Sequence, residues 1–208
     1  MNTTYENNNL AHLAGTVSSA PVFSHTLLGE GFYDIKLDVP RLSAESDVLP
    51  VTISERLIND LEVGDKISID GQFRSYNKLE DGKSKLVLTM FAKELTDYTE
   101  DKNTNYIELS GYICKEPIFR TTPFGREICD CLIAVNRAYN KSDYLPCIAW
   151  GRNARFVKNL KVGEKVNLIG RIQSRKYIKK FDETHSEDRT AYEISISSIS
   201  LDSCDVLA

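Results

Sequence analysis

Histidine, tryptophan and long apolar runs are what this sequence is short of. Its 208 residues include 3 His, 1 Trp and 2 Met. His12, His25 and His185 stand apart from any Ser, Cys or carboxylate grouping that would make a nucleophile or a metal site. We therefore expect no enzyme, no metal and no cofactor. Glycines suited to a phosphate loop are missing too, since Gly163 and Gly170 fit turn and strand positions. No apolar run approaches the length of a bilayer span. The start, Met1-Asn-Thr-Thr-Tyr-Glu-Asn-Asn-Asn, has no basic region followed by an apolar stretch. A cytoplasmic chain without a membrane partner is expected, with residues 1–8 disordered. The five cysteines, an odd count without a secretion signal, argue against a disulfide framework. Cys129 and Cys131 sit two apart in a strand-like run, where a metal or redox pair is conceivable. Small buried thiols are the favoured reading, because no Cys-x-x-Cys or nearby histidine completes a site.

What the sequence does hold is a copy of itself. Leu13, Gly15, Pro21, Phe23, Thr26 and Gly29 recur 96 residues later as Leu109, Gly111, Pro117, Phe119, Thr122 and Gly125. The same offset relates Arg41 to Arg137, Asp47 to Asp143 and Leu49 to Leu145. It then grows to 99 for Leu61/Leu160, Gly64/Gly163, Gly71/Gly170 and Ser75/Ser174. This is a duplicated domain of a size that can hold its own core. The copies differ in charge. Residues 1–104 carry 10 Lys/Arg against 17 Asp/Glu, and residues 105–208 carry 16 against 13. A whole-chain charge of −4 disfavours a nucleic-acid partner, but the +3 of the second half points to an acidic one.

Both copies read as β-rich with one short helix. In the second, strands are expected near 107–113, 127–136, 144–150, 165–177 and 191–201. A turn falls at 117–125, a loop at 139–143, a helix at 153–160, and an exposed hairpin loop at 179–189. The first follows with strands near 11–17, 32–39, 49–53, 66–74 and 85–95, and a helix near 55–61 where the three residues are missing. Five strands with a helix between the third and fourth is the layout of the OB-fold, a five-stranded Greek-key barrel. We expect an all-β chain of two tandem OB-folds at 9–96 and 106–201, joined by a polar linker at 97–105 and followed by a short tail at 202–208. Duplicated β barrels of other topology stay open, because periodicity does not reveal strand order.

Along the second copy's third strand, Leu145, Cys147 and Ala149 suit a core, while Tyr144, Pro146, Ile148 and Trp150 share the other face. Aromatic rings there, flanked by Arg137, Arg152, Arg155, Arg171 and Arg175, would form a platform for stacked bases with cations for phosphates. Periodicity alone equally allows both rings to pack beneath a loop or a partner subunit. The first copy favours binding: Tyr144 is replaced by Val48, Trp150 by Ser54, Tyr139 by Ser43, Arg126 by Glu30 and Lys141 by Glu45. Core and turn residues kept their type, whereas rings and positive charge were lost.

The second copy resembles the bacterial single-stranded DNA-binding protein family. The resemblance is carried by Leu109-Ser-Gly-Tyr-Ile, Pro117-Ile-Phe-Arg-Thr-Thr-Pro-Phe-Gly125, Leu132-Ile-Ala-Val-Asn-Arg137, Asp143-Tyr-Leu-Pro-Cys-Ile-Ala-Trp-Gly151 and Gly170-Arg-Ile-Gln-Ser-Arg-Lys-Tyr177. The first copy matches only through its glycines, prolines and apolar pattern. The resemblance implies four stacking rings, at Tyr139, Tyr144, Trp150 and Tyr177, and a hairpin whose Arg175, Lys176, Lys179 and Lys180 grip phosphates. Tyr139 and Tyr177 can also be read as loop tyrosines without a role, and the basic hairpin as a solvated loop. The implied function is sequence-independent binding of single-stranded DNA in replication, recombination or repair, at the nucleoid. RNA is a further candidate ligand, because OB-folds serve both. Family members end in an acidic, Phe-terminated tip that recruits replication and repair proteins, whereas this sequence stops at Asp202-Ser-Cys-Asp-Val-Leu-Ala208. Four barrels per family assembly imply a homodimer here. Two alternatives stay open: a specialised primosome or plasmid accessory protein, and a protein-interaction scaffold without strong DNA binding.

Overall fold

The computed structural model describes residues 8–43, 45–58, 60–80, 82–98, 104–180 and 186–202. Residues 1–7 of the segment expected to be disordered, most of the linker and most of the tail lie outside them, while Asn8 is held by Ser110 N–H and Asn136 O. The first barrel is built from β1 (Asn9–Val17), β2 (Val22–Leu27), β3 (Glu30–Pro40), β4 (Ser46–Ser54), β5 (Lys66–Glu80) and β6 (Lys83–Asp97). The second repeats it with β7 (Asn105–Ile113), β8 (Ile118–Thr121), β9 (Glu127–Arg137), β10 (Lys141–Trp150), α1 (Gly151–Val157), β11 (Lys165–Lys180) and β12 (Ser186–Leu201). The strands form one continuous sheet in the order β2-β3-β4-β6-β5-β1-β7-β11-β12-β10-β9-β8. In each barrel the first strand also bends back to pair with the third, β1 with β3 and β7 with β9, which closes it. A short sixth strand in each copy, β2 or β8, occupies the segment read as a turn. It pairs with β3 or β9 across the Gly29 or Gly125 turn, where φ is +84° or +74°.

Alternation drives the burial. Val135, Ile133, Cys131 and Cys129 on β9 and Leu145, Cys147 and Ala149 on β10 point into the second core. The thiols are buried and free, and burial pushes the Cys129 thiol up to about 11. In the first core Val39, Leu37 and Ile35 face Leu49, Val51 and Ile53. The two cores join in one apolar cluster across the β1–β7 seam. That seam is reciprocal: Asn9 pairs with Leu109 and Leu13 with Asn105, while Ala11 opposes its own counterpart Ile107. It has the symmetry of a two-fold interface, formed within one chain.

Two expectations need correction. The first copy has no helix over 55–61: its described residues there form turns, tied by Leu57 N–H to Ser54 O and Leu61 N–H to Ile58 O. Three residues fewer leave no room for a second helical turn, and Leu57, Ile58 and Leu61 pack on the core directly. In the second copy α1 does that work through the buried Ala154 and Val157, with Leu160 just beyond it. The exposed loop expected over 179–189 is mostly strand, since β11 and β12 stay paired out to Lys180 and Ser186. An arm exposed on both faces has no apolar stripe, so periodicity did not reveal it.

Candidate nucleic-acid interface

Register decides which side chains share a surface. Along β10, Tyr144, Pro146, Ile148 and Trp150 lie opposite Ala134, Leu132, Asp130 and Ile128 of β9. Parallel pairing sets Ile148 beside Ser195 of β12. Antiparallel pairing then sets Ser195 against Arg171, Glu193 against Gln173, Ala191 against Arg175 and Arg189 against Tyr177. Directly paired residues point the same way, so Trp150, Tyr144, Arg171, Arg175 and Tyr177 all emerge on the outer face of the second barrel. The rings are partly open: Tyr144 is 45% exposed, Trp150 39% and Tyr177 37%. Ile148 and Ile128 form the apolar floor between them, only 5% and 2% exposed. Trp150 ends β10 in extended conformation and immediately precedes α1, which fixes its backbone between two elements. Tyr139 stands at the tip of the β9–β10 turn, 94% exposed, with φ of +61° and Asn140 at +54° behind it.

The cations divide into two groups. Arg152 and Lys176 are exposed. Arg175 is exposed too, 3.7 Å from Glu193 and 5.8 Å from the Tyr177 ring centroid. Arg155 is exposed but ion-paired to Glu127 at 2.6 Å. Arg137 and Arg171 have a different setting. Arg137 Nε lies 3.3 Å from Oδ2 of the fully buried Asp143, and Arg171 Nη1 lies 3.4 Å from Oδ2 of the equally buried Asp47.

Those two aspartates clasp the barrels together. Asp47 Oδ1 accepts from the N–H and Oγ–H of Ser174 at 2.6 and 2.9 Å, and from Arg41 Nη2 at 2.6 Å. At the other end Asp143 Oδ1 accepts from Ser75 N–H at 2.7 Å, while Ser75 Oγ accepts from Tyr144 N–H at 2.7 Å. The repeated Arg41/Arg137, Asp47/Asp143 and Ser75/Ser174 pairs are thus one reciprocal lock, whose role the spacing alone did not disclose. Its ends differ electrostatically. Burial works to raise the Asp47 pKa, but Arg41 and Ser174 outweigh it and hold the carboxyl below its ordinary value. Burial dominates at Asp143 and raises its pKa against Ser75, Arg137 and Arg74. Sequence reasoning also missed Glu193 and Gln173, hydrogen-bonded at 2.8 Å in the middle of the face. Among the described residues, no three His, Cys, Asp or Glu side chains gather as a metal site would require.

A pair of fused OB barrels, with an open aromatic and basic face on the second, defines the class of protein. The sequence profile of the Single-strand binding protein family matches residues 104–202. That match covers the second barrel. Single-stranded DNA-binding protein A of Bacillus subtilis is 35% identical over 80 residues, covering 35% of this chain and 46% of that protein. Single-stranded DNA-binding protein 1 of Staphylococcus aureus is 35% identical over the same length, covering 48% of that protein. The chain thus spans about half the length of the curated relatives it matches. The single-stranded DNA binding protein of Thermus aquaticus superposes with a TM-score of 0.73 at 20% identity, covering 93% of this chain and 92% of that one. The fold is therefore shared across both barrels.

Proposed function

We propose that this protein binds single-stranded DNA without sequence preference and without catalysis, protecting strands exposed in replication, recombination or repair. The observation that carries this reading is the register that gathers Tyr144, Trp150, Tyr177 and Arg175 on one open face of a family barrel. Each stacked base contributes about 1–3 kcal/mol, and any base can stack, so selectivity is slight. Tyr139 extends the ring series at the turn tip, where a bulky residue at positive φ carries a strain that a ligand role would explain. Arg152, Arg175 and Lys176 take phosphates directly, and Arg155 does so by exchanging Glu127 for a phosphate. Arg137 and Arg171 hold the barrel junction and lend their remaining N–H groups to the strand. RNA is accepted as well, because stacking ignores the 2′-hydroxyl. The working unit is a homodimer of four barrels at the nucleoid in the cytoplasm, where replication and repair proteins meet it.

The test uses the single tryptophan. Oligo-dT titrated at low and moderate salt is expected to quench Trp150 fluorescence saturably, with salt weakening the effect and duplex of equal length having none. Absence of quenching together with absence of a mobility shift at low salt would overturn the reading.

A further inference from the structure

The basic face of the second barrel has an acid near its centre. β12 runs between β11 and β10. Register turns Glu193 outward, opposite Gln173 of β11. Toward β10, Glu193 and Pro146 each stand two residues before the paired Ser195 and Ile148 on parallel strands. Tyr144 is the next residue of β10 on that same face. Glu193 is only 8% exposed, although Tyr144 and Tyr177 around it are open.

Its polar partners leave one side of it unused. Arg171 Nη2 donates to Gln173 Oε1 at 3.0 Å, and Gln173 Nε2 donates to Glu193 Oε1 at 2.8 Å. The Gln173 amide is thereby held in one orientation. Arg175 Nε lies 3.7 Å from the same Oε1. Among the described residues Glu193 Oε2 accepts no hydrogen bond. It is an open acceptor on a nearly dry floor, where an unmade hydrogen bond is costly.

The other copy shows that the fold does not require this acid. Gln173 and Glu193 correspond to Arg74 and Thr89, which are paired in the same way. The acidic barrel thus lacks a carboxylate at this point, and the basic barrel has one. A phosphate placed over Glu193 would meet a like charge in poorly hydrated surroundings, so the strand turns a base edge to it instead. Bases differ at that edge. The 4-amino group of cytosine donates a hydrogen bond, whereas the 4-keto oxygen of thymine is a second acceptor. Beside the amine, cytosine N3 accepts from a guanidinium such as Arg175, while thymine presents N3–H there.

We propose that Glu193 discriminates between the bases stacked at Tyr144, accepting the exocyclic amine of cytosine on Oε2 and disfavouring the keto oxygen of thymine. The proposal rests on the single-strand reading above and refines it. Stacking and phosphate neutralisation stay indifferent to base identity, and one contact adds a preference between amino and keto rings.

The experiment compares oligomers of about 12 nucleotides, a length one OB barrel covers, made of thymine or of 5-methylcytosine. The two bases share ring and methyl group and differ in the 4-substituent and the N3 proton, so phosphate and stacking contributions cancel in the ratio of affinities. Anisotropy of labelled oligomers is followed for the wild type and Glu193→Gln, each checked for its thermal melt. The wild type is expected to favour 5-methylcytosine about 5-fold or more, corresponding to about 1 kcal/mol, the low end for one matched base contact. Glu193→Gln is expected to reverse the ratio. Its amide oxygen would take the Gln173 donor, which leaves an N–H facing the base that suits the thymine oxygen. A merely structural role would weaken both oligomers alike and would overturn the proposal. So would a wild-type ratio near one, or a ratio that Glu193→Gln leaves unchanged; in either case the single-strand function stands. Should the variant fail to fold, the wild type is tested with N4,N4-dimethylcytosine, which has no amine hydrogen to give. It is expected to bind no tighter than thymine, and affinity equal to that of 5-methylcytosine would overturn the contact. Failure of the wild type to bind any of the oligomers would overturn both readings.

Discussion

At the scale of single residues, the comparison between the two copies located the rings that periodicity could not assign. Tyr144 and Trp150 alternate with core residues on β10, a pattern that fits burial under a partner as well as exposure. Their replacement by Val48 and Ser54 in a barrel that keeps the same core shows that closing the barrel does not require them. Trp150→Ala is expected to weaken single-strand binding about 5- to 150-fold, the loss of one base–ring stack, while Ser54→Ala changes it less than 2-fold. Anisotropy of a labelled oligomer measures both, and equal effects would sink the assignment. The arginines were less legible. Arg137 and Arg171 were grouped with the exposed cations because their carboxylate partners sit far away in sequence or inside the lock. Asp47 supplies the sharpest consequence. Its pKa is depressed in the folded protein, so its contribution to stability is full above the unfolded value near 4 and is lost as pH falls through the folded value. Asp143 runs the other way, since its raised folded pKa makes protonation favour the native state. Asp47→Asn is expected to cost on the order of 3 kcal/mol at neutral pH, because Arg41 loses its buried counter-charge and one acceptor oxygen becomes an amide donor facing the guanidinium, and to flatten the acid limb of stability. Melting temperature against pH, from about pH 6 to about pH 3, compares the two proteins. Parallel curves would refute the assignment of the acid limb to Asp47.

At the scale of elements, the sequence disclosed strands wherever one face is buried and concealed them elsewhere. The arms of β11 and β12, and the short β2, are exposed on both sides, and β8 turns only Phe119 toward the core, so no alternation marks them. The first copy's missing helix followed from length, yet Leu57 and Leu61 still imitated helical spacing because their task, covering the barrel end, is the same. Glycines mark the bends more faithfully. Gly71 and Gly170 sit at matching register shifts in β5–β6 and β11–β12. A Cβ on either would collide with the carbonyl oxygen of Phe91 or Ser195 in the paired strand. No flexible side chain can yield there, since the obstacle is backbone. Gly170→Ala is therefore expected to destabilise by on the order of 2 kcal/mol and lower the melting temperature, whereas Gly163→Ala, whose φ of +94° is strained but whose surroundings are open, costs about half as much. Calorimetry of the two variants ranks them, and the reverse order would refute close approach as the constraint.

At the scale of the whole molecule, the β1–β7 seam makes one chain the equivalent of a two-fold pair, and this determines what surface is left to associate. Six strands, β6-β5-β1-β7-β11-β12, run side by side across the junction. Leu10 on β1, Glu108 on β7 and Ile169 on β11 are in register on its outward face, with Tyr112 further along β7. Leu10, Ile169 and Tyr112 are 43%, 39% and 36% exposed, three apolar side chains gathered beside the seam. A second copy laid on this face would cover them and bring the barrel count to four. Sedimentation equilibrium is expected to give twice the 23.5 kDa of one chain. Leu10→Glu with Ile169→Glu should return the mass of a single chain, because like charges would then face each other across the contact. The double variant should still quench its Trp150 fluorescence with a short oligo-dT, since the outer face of β10 takes no part in the seam. A wild-type protein that sediments as one chain at micromolar concentration would rule the face out as a self-association surface, and leave the two fused barrels as the complete binding unit.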